Sequence, residues 1–477
     1  MCSFGPADGG AFLLQRRKRM KQALIVTDLS FGDAGKGSIT DYLTRRTRAA
    51  WNIRYNGGAQ AAHRVVAPDG RDHVFAQFGS GTFSPGTKTF LSRFMLIEPY
   101  AAFNEEEHLR SLGVRDAFAR LYVDPQALVI TPFHRFANHL REAARGSNIH
   151  GSCGIGISET MMDYLSYSER VLFAGDLADQ SVTKMKLRFI REEKKRELSG
   201  LIAAFWGDPR FTQTIGYFYD EDLLDRLALT FANYSQSCTV VRDGRLFLAQ
   251  QLAGDETVVF EGAQGVLLDE WYGFHPYTTW STCTPANART LLQEIEYDGV
   301  TTTLGLVRTY GTRHGPGPFV TEDDELTRLL PDACNVENDW QKGFRVGYFD
   351  AVATKYALAV AGGVDALVVS HMDRLEEMLH WQMAVGYKNI FPLSYLERFF
   401  TVEDRVVRGI KHVNAPDLAY QEEITTALGF CTPVYQEIES RQPDDYLDLM
   451  QTVLRVPVAL TSHGPTARDK REHYHLW

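Results

Sequence analysis

Short apolar runs, each followed at once by glycine and polar residues, recur along this chain. Leu24-Ile-Val26 runs into Gly32, Gly35 and Gly37. Trp51-Asn-Ile-Arg-Tyr55 runs into Asn56-Gly-Gly-Ala-Gln-Ala-Ala-His63. Thr257-Val-Val-Phe260 runs into Glu261-Gly-Ala-Gln-Gly265, and Ala366-Leu-Val-Val369 into Ser370-His-Met-Asp373. Continuous apolar runs of this length predict strands buried on both faces. Residues 300–310 and 456–460 predict two more strands, ending in Thr312-Arg-His-Gly-Pro-Gly-Pro-Phe319 and Thr461-Ser-His-Gly464. Helical spacing is expected over residues 39–43, 104–146, 184–205 and 350–361. Glu105, Glu106 and Glu107 are expected near the start of the second of these, where a helix dipole favours acids. Residues 64–91, rich in aromatics, glycine and proline with a turn at Pro85-Gly86, read as hairpins.

The alternation predicts an α/β fold, a mostly parallel central β-sheet flanked by helices. One domain is expected over residues 23–477. It carries helical insertions over about 104–235 and a C-terminal subdomain over about 375–455. Strand, glycine-rich turn and helix are the parts with which α/β proteins hold a phosphate, because backbone N–H groups and the helix N-terminus meet the anion. The first such turn adds Lys36 as a cation. Asp33 is a carboxylate placed to hold Mg²⁺ or to take a proton. The turn resembles that of P-loop NTPases without a Walker A spacing, since Ser30 stands where that motif needs glycine. Gly151-Ser-Cys-Gly-Ile-Gly156 is a further glycine loop, and residues 278–284 are rich in hydroxyls. Several polar loops at strand ends predict a nucleotide site with a second substrate beside it.

The 477 residues carry a net charge of −10, which argues against non-specific nucleic-acid binding. No apolar run approaches membrane-spanning length. Six dispersed cysteines, none in a C-x-x-C spacing, read as reduced thiols of a cytoplasmic protein. Residues 1–22 hold Gln15-Arg-Arg-Lys-Arg19 after a very short apolar run, the wrong order for a secretory signal. They are expected to be a disordered tail, or to precede a start at Met20. The charge run Lys184, Lys186, Arg188, Arg191, Lys194, Lys195, Arg196 is expected to be a solvated helix face.

The ordered segments resemble the adenylosuccinate synthetase family from about residue 24 to about residue 469. Phe31-Gly-Asp-Ala-Gly-Lys-Gly37, the loop ending at His63, the Gly151–Gly156 loop and Phe260-Glu-Gly-Ala-Gln-Gly-Val-Leu-Leu-Asp269 carry the likeness. So do Thr312 to Glu322, Arg345-Val-Gly-Tyr-Phe-Asp-Ala-Val352, Asp373 and Ser462-His-Gly-Pro465. The resemblance implies a homodimeric, GTP- and Mg²⁺-dependent ligase that joins inosine monophosphate and aspartate. Asp33 would take the purine N1 proton and, with the Ala62 carbonyl, hold Mg²⁺. His63 would donate to the γ-phosphoryl, Lys36 would sit on the phosphates, and Gln264 would bind the 6-oxygen. Gly32, Gly35, Gly37, Ser38, Arg345, His371, Asp373, Ser462 and Gly464 would contact GTP, with Asp373 on the guanine. Gln60, Cys153, Thr279, Arg345 and Lys342 would contact the substrates.

The chain also departs from the family pattern. Ala34 replaces glutamate, Ser38 lysine, Gln60 asparagine, Ala62 glycine, Cys153 threonine and His371 lysine. The amino-acid loop reads Asn338-Asp-Trp-Gln-Lys-Gly-Phe-Arg345 in place of threonines and an arginine cluster. Arg170 is two residues out of step with the arginine that the family lends to its neighbouring subunit. These changes leave open a different acceptor or amino acid, and a non-catalytic purine-nucleotide-binding role.

Overall fold

The computed structural model describes residues 21–146, 154–332 and 343–475. Ten strands form one sheet in the order Lys470–Glu472, Val458–Ser462, Ala366–Ser370, Val300–Arg308, Gln22–Asp28, Thr257–Glu261, Trp51–Arg54, Lys88–Leu91, Leu121–Val123, Thr239–Val240. All neighbours are parallel except the edge strand Lys470–Glu472. Parallel strands of this kind need cover on both faces, and the apolar runs supply it. Along Gln22–Asp28, Leu24 and Val26 pack with Ile39 and Leu43 of the Lys36–Thr47 helix. Ala23 and Ile25 point the other way, against Trp51, Ile53 and Leu291.

A second, six-stranded sheet holds Tyr310–His314, Phe344–Asp350, Gln382–Asn389, Val406–Ile410, Phe400–Glu403 and Cys431–Glu437. It buries Trp381, Tyr387 and Phe399 against the Ala351–Val360 and Pro443–Leu454 helices. Because the first sheet is parallel, its loops after Asp28, Arg54, Glu261, Arg308, Ser370 and Ser462 all emerge on one side. The loops after Arg308 and Ser462 join the four anticipated from the apolar runs.

Three local expectations are corrected. Glu105, Glu106 and Glu107 lie inside the Pro99–Ser111 helix, whose cap is Glu98. The buried Glu105 carboxylate instead accepts N–H bonds from Ala76, Gln77 and Phe78. Residues 64–91 form only one hairpin, His63–Val66 with Asp72–Phe75, and Lys88–Leu91 joins the main sheet. The charge run on the Gln180–Glu197 helix is not wholly solvated. Lys194 is fully buried on Glu159 and Asp163, and Arg191 is buried on Glu221.

Cys238, Cys283 and Cys431 are unpaired thiols. No helix among the described residues is long and apolar enough to cross a membrane. The basic N-terminal stretch, Cys153 and Lys342 lie outside the described residues.

Candidate active site

The loop after the first strand is folded back onto that strand's last residue. Asp28 Oδ1 accepts from Ser30 N and Oγ at 2.9 and 2.6 Å, and Oδ2 from Ala34 N at 3.0 Å and Lys36 Nζ at 2.8 Å. Burial opposes charge on Asp28, but Lys36 and these donors outweigh it and hold the carboxyl below its ordinary value. Gly32, Asp33 and Gly35 turn through positive φ of 102°, 60° and 89°. Glycine adopts this freely, and aspartate tolerates it better than most residues. The turn is pinned by Arg308, whose Nε donates to the Asp33 carbonyl at 2.6 Å.

The loop after the second strand brings His63 beside the end of the Thr257–Glu261 strand. His63 Nδ1 lies 2.5 Å from Glu261 Oε1, and both side chains are buried. Glu261 also accepts from the backbone N and the hydroxyl of Ser80. Burial works against its charge, yet Arg54, His63 and Ser80 bring its pKa to about 2. Burial pushes His63 down to about 4 in spite of Glu261. The imidazole is therefore neutral, donating from Nδ1 and leaving Nε2 as an acceptor. Arg54, itself buried, donates to the Ala76 and Phe78 carbonyls and so fixes the segment that carries Ser80.

These loops line one cleft of about 1290 Å³. It gathers Gly32, Asp33, Gly35, Lys36, Gly37, Ser38, His63 and Ala62. Of the other expected residues, Gln60, Gln264, Thr279, His371, Asp373, Ser462 and Gly464 also line it. Gln264 has φ 58°, and its Oε1 is shut from solvent without a partner. Asn56 couples two of the loops by exchanging hydrogen bonds with the Ala263 backbone at 2.7 and 3.0 Å. On the far side Ser38 Oγ donates to the Pro465 carbonyl at 3.0 Å, and Lys470 donates to the Gly464 and Thr466 carbonyls. Burial, with Arg308, Arg374 and Lys470 nearby, pushes His371 well below its ordinary value, so the position where the family pattern has a lysine is uncharged here.

Arg345 does not join this set. Its guanidinium is 2.6 Å from Glu322 and donates to the Gly315 and Gly317 carbonyls, bracing the turn at residues 315–317. It does not line the cleft. Asp28, Arg54, Ser80 and Glu261 were missed as site residues. A buried strand that ends in an acid, as at Asp28 and Glu261, is the sequence signal that points to two of the partners.

A family model described as adenylosuccinate synthetase matches residues 25–471. The chain belongs to the adenylosuccinate synthetase family. Adenylosuccinate synthetase of Clostridium beijerinckii is 31% identical over 378 residues, covering 77% of this chain and 81% of that one. That of Cyanothece sp. is 28% identical over 459 residues, covering 92% of each. The fold is similar to fully ligated adenylosuccinate synthetase from Plasmodium falciparum, with TM-score 0.70 at 18% identity over 96% of this chain and 100% of that one. It is also similar to succinoaminodeoxyadenylate synthetase of cyanophage S-2L, solved with dGMP and dATP, with TM-score 0.58 at 18% identity over 96% of this chain and 97% of that one. Members of the adenylosuccinate synthetase family are GTP-dependent ligases that form a C–N bond, and this chain is an enzyme of that kind.

Proposed function

We propose that this adenylosuccinate synthetase family member phosphorylates the 6-oxo group of a purine with GTP, and that an amino-acid amine then displaces the phosphate. By family, the substrates are inosine monophosphate and aspartate, and the active form is a homodimer. One observation carries the reading: His63, tied to an ionised and fully buried Glu261, opens into the same cleft as Asp33 and Lys36. A pure binding role has no use for that combination. A lactam oxygen leaves poorly, and phosphorylation makes it a leaving group. Asp33 takes the N1 proton as the oxygen attacks, Gln264 holds that oxygen, and a protonated His63 donates to the γ-phosphoryl as charge builds. Lys36 adds a fixed cation beside the phosphates.

Magnesium suits the donor set. Asp33 and Ala62 line the cleft with a carboxylate and a backbone carbonyl. No group of three or more His, Cys, Asp or Glu that could hold a metal exists among the described residues. Mg²⁺ is commonly held by one or two carboxylates plus substrate phosphates rather than by a protein cage. When bound it offsets charge on the phosphates.

A different amino acid is the second reading, favoured by the engagement of Arg345 with Glu322, which leaves no free guanidinium fork there for a carboxylate. The test is phosphate release from GTP and from ATP with Mg²⁺, a 6-oxopurine and L-aspartate, with products read by mass. ATP belongs in the panel because the phage enzyme was solved with dATP as energy donor. A product of adenylosuccinate mass supports the family reaction. Product with other amino acids only supports the second reading. No purine-dependent phosphate release under any combination refutes both.

A further inference from the structure

We infer that His314 is a positioning residue: it holds the Asp33 carboxylate in the direction from which that carboxylate takes the purine N1 proton. This rests on the purine-ligase reading above, in which Asp33 is the base. Neither His314 nor Phe344, one of the departures in the amino-acid loop, has a part in the chemistry above.

Asp33 is fixed at its backbone but not at its carboxylate. Its φ of 60° is held by Arg308, whose Nε reaches the Asp33 carbonyl at 2.6 Å. The side chain, 33% exposed, lines the cleft. Among the described residues one basic side chain lies within 4.0 Å of it: His314, whose Nε2 is 4.0 Å from Asp33 Oδ2. His314 lines the same cleft. A base that serves one ring nitrogen works best when its direction is fixed in advance. A shift of about 1 Å brings Nε2 and Oδ2 to hydrogen-bond distance. Catalytic hydrogen bonds commonly shorten in this way as substrate binds.

The imidazole is placed to make that bond. Its Nδ1 is shut from solvent and has no partner among the described residues. A proton there would be buried without an acceptor, so the proton belongs on Nε2, the nitrogen that faces the carboxylate. His314 stands opposite Phe344 in the ladder between Tyr310–His314 and Phe344–Asp350. The two rings meet edge to face with centroids 4.8 Å apart. The guanidinium carbon of Arg308 lies 5.9 Å from the centre of the same phenyl ring. Phe344 thus backs both residues that hold Asp33, one at its backbone and one at its carboxylate. The turn beyond His314 is clamped from two sides. Arg313 donates to the Pro316 and Pro318 carbonyls, and Arg345 to those of Gly315 and Gly317. A side chain on so rigid a support can orient another.

The test uses the full chain and the phosphate-release assay. His314→Phe keeps a ring against Phe344 and removes the N–H. It should lower kcat about tenfold or more, the worth of one hydrogen bond to a charged group, while KM for GTP and purine stays within about threefold. His314→Gln, whose amide offers a donor near the place of Nε2, should recover to within about threefold of the unmodified protein. A histidine that only packs would give the opposite order, with Phe tolerated and Gln not. Added to Asp33→Asn, His314→Phe should cost no more than about threefold, because it acts through a carboxylate already gone. Turnover kept in His314→Phe, or losses that multiply in the double variant, overturns the inference. The contact itself is read without turnover from nitrogen-15 spectra of histidine-labelled protein, the His314 signals being assigned by their loss in His314→Gln. Nε2 should carry the proton, and Asp33→Asn should move its signal. A proton on Nδ1 alone, or a signal that Asp33→Asn leaves in place, overturns the inference even if His314→Phe misfolds. The expected spectrum without phosphate release from any purine supports the contact and refutes the ligase reading, so the two fail separately.

Discussion

Nucleotide binding to this protein should take up a proton, and His63 should be the group that takes it. Burial sets the imidazole pKa at about 4. Charging it at pH 7 therefore costs three pH units, about 4 kcal/mol. One phosphate charge at about 4 Å, in an effective dielectric of about 20, returns about 4 kcal/mol. A single uncompensated charge breaks even, and a γ-phosphoryl group carrying nearly two tips the balance to imidazolium. Glu261, ionised with a pKa of about 2, stabilises that cation through Nδ1. The assay is calorimetry with a non-hydrolysable GTP analogue at pH 7.5 in buffers of different ionisation heat. The apparent enthalpy should vary with buffer by close to one proton per site. Glu261→Gln should abolish most of that uptake and weaken the analogue about tenfold or more, the worth of one charge-assisted hydrogen bond. Tight binding with no buffer dependence in the unmodified protein would refute the reasoning.

Four further outcomes are expected. Asp33→Asn should lower purine-dependent phosphate release at least about 100-fold; retained turnover removes Asp33 as the base. Lys194→Met should cost about 3–5 kcal/mol in urea unfolding, because it leaves buried carboxylates short of counter-charge. The exposed Arg196→Ala should stay within about 0.5 kcal/mol, and equal losses would contradict the burial argument. Gly265→Ala puts a Cβ 2.1 Å from the Ser30 carbonyl oxygen and 2.3 Å from Gly32 N, so a loss of about 3 kcal/mol or more and a lower thermal midpoint are expected; an unshifted midpoint would show that the loops yield. Acid should act in two opposite ways. His63, lowered to about 4, gives stability that is present above its unfolded pKa of 6.5 and lost as pH falls toward 4. Asp350, raised to about 6 by burial, gives stability present below 3.8 and lost as pH rises through 6. Asp350→Asn should therefore gain on the unmodified chain between pH 4 and 7, and parallel pH curves would count against it.

The strands were legible because each is a short apolar run whose successive residues pack on opposite faces, as Ala23 and Leu24 do. Parallel strands also place their following loops on one side, so the polar runs after residues 26, 55, 260 and 369 converge. What escaped were facts settled by distant neighbours. Helical spacing does not say which charged residue an adjacent helix will cover, so Lys194 looked like any other lysine in its run until the Ile157–Tyr167 helix laid Glu159 and Asp163 over it. His63 and Glu261 are 198 residues apart in sequence, and their pairing follows only from which strands become neighbours. Glu105 looked like a dipole-stabilised acid, and the demand of three loop N–H groups decided its role instead. Arg345 stood out only by motif, and its pairing with Glu322 and two loop carbonyls could not be read from the chain order.

The bond from Ser38 to the Pro465 carbonyl joins the start of the first helix to the loop beyond the Val458–Ser462 strand. During synthesis, a chain that has made only its first strands owns the phosphate turn but not the far rim of the cleft. It gains that rim only after Gly464 and Lys470 have left the ribosome. Under the proposed reading, nucleotide affinity becomes a report on completed folding, and a bound nucleotide acts as a clasp that strengthens the whole sheet by mass action.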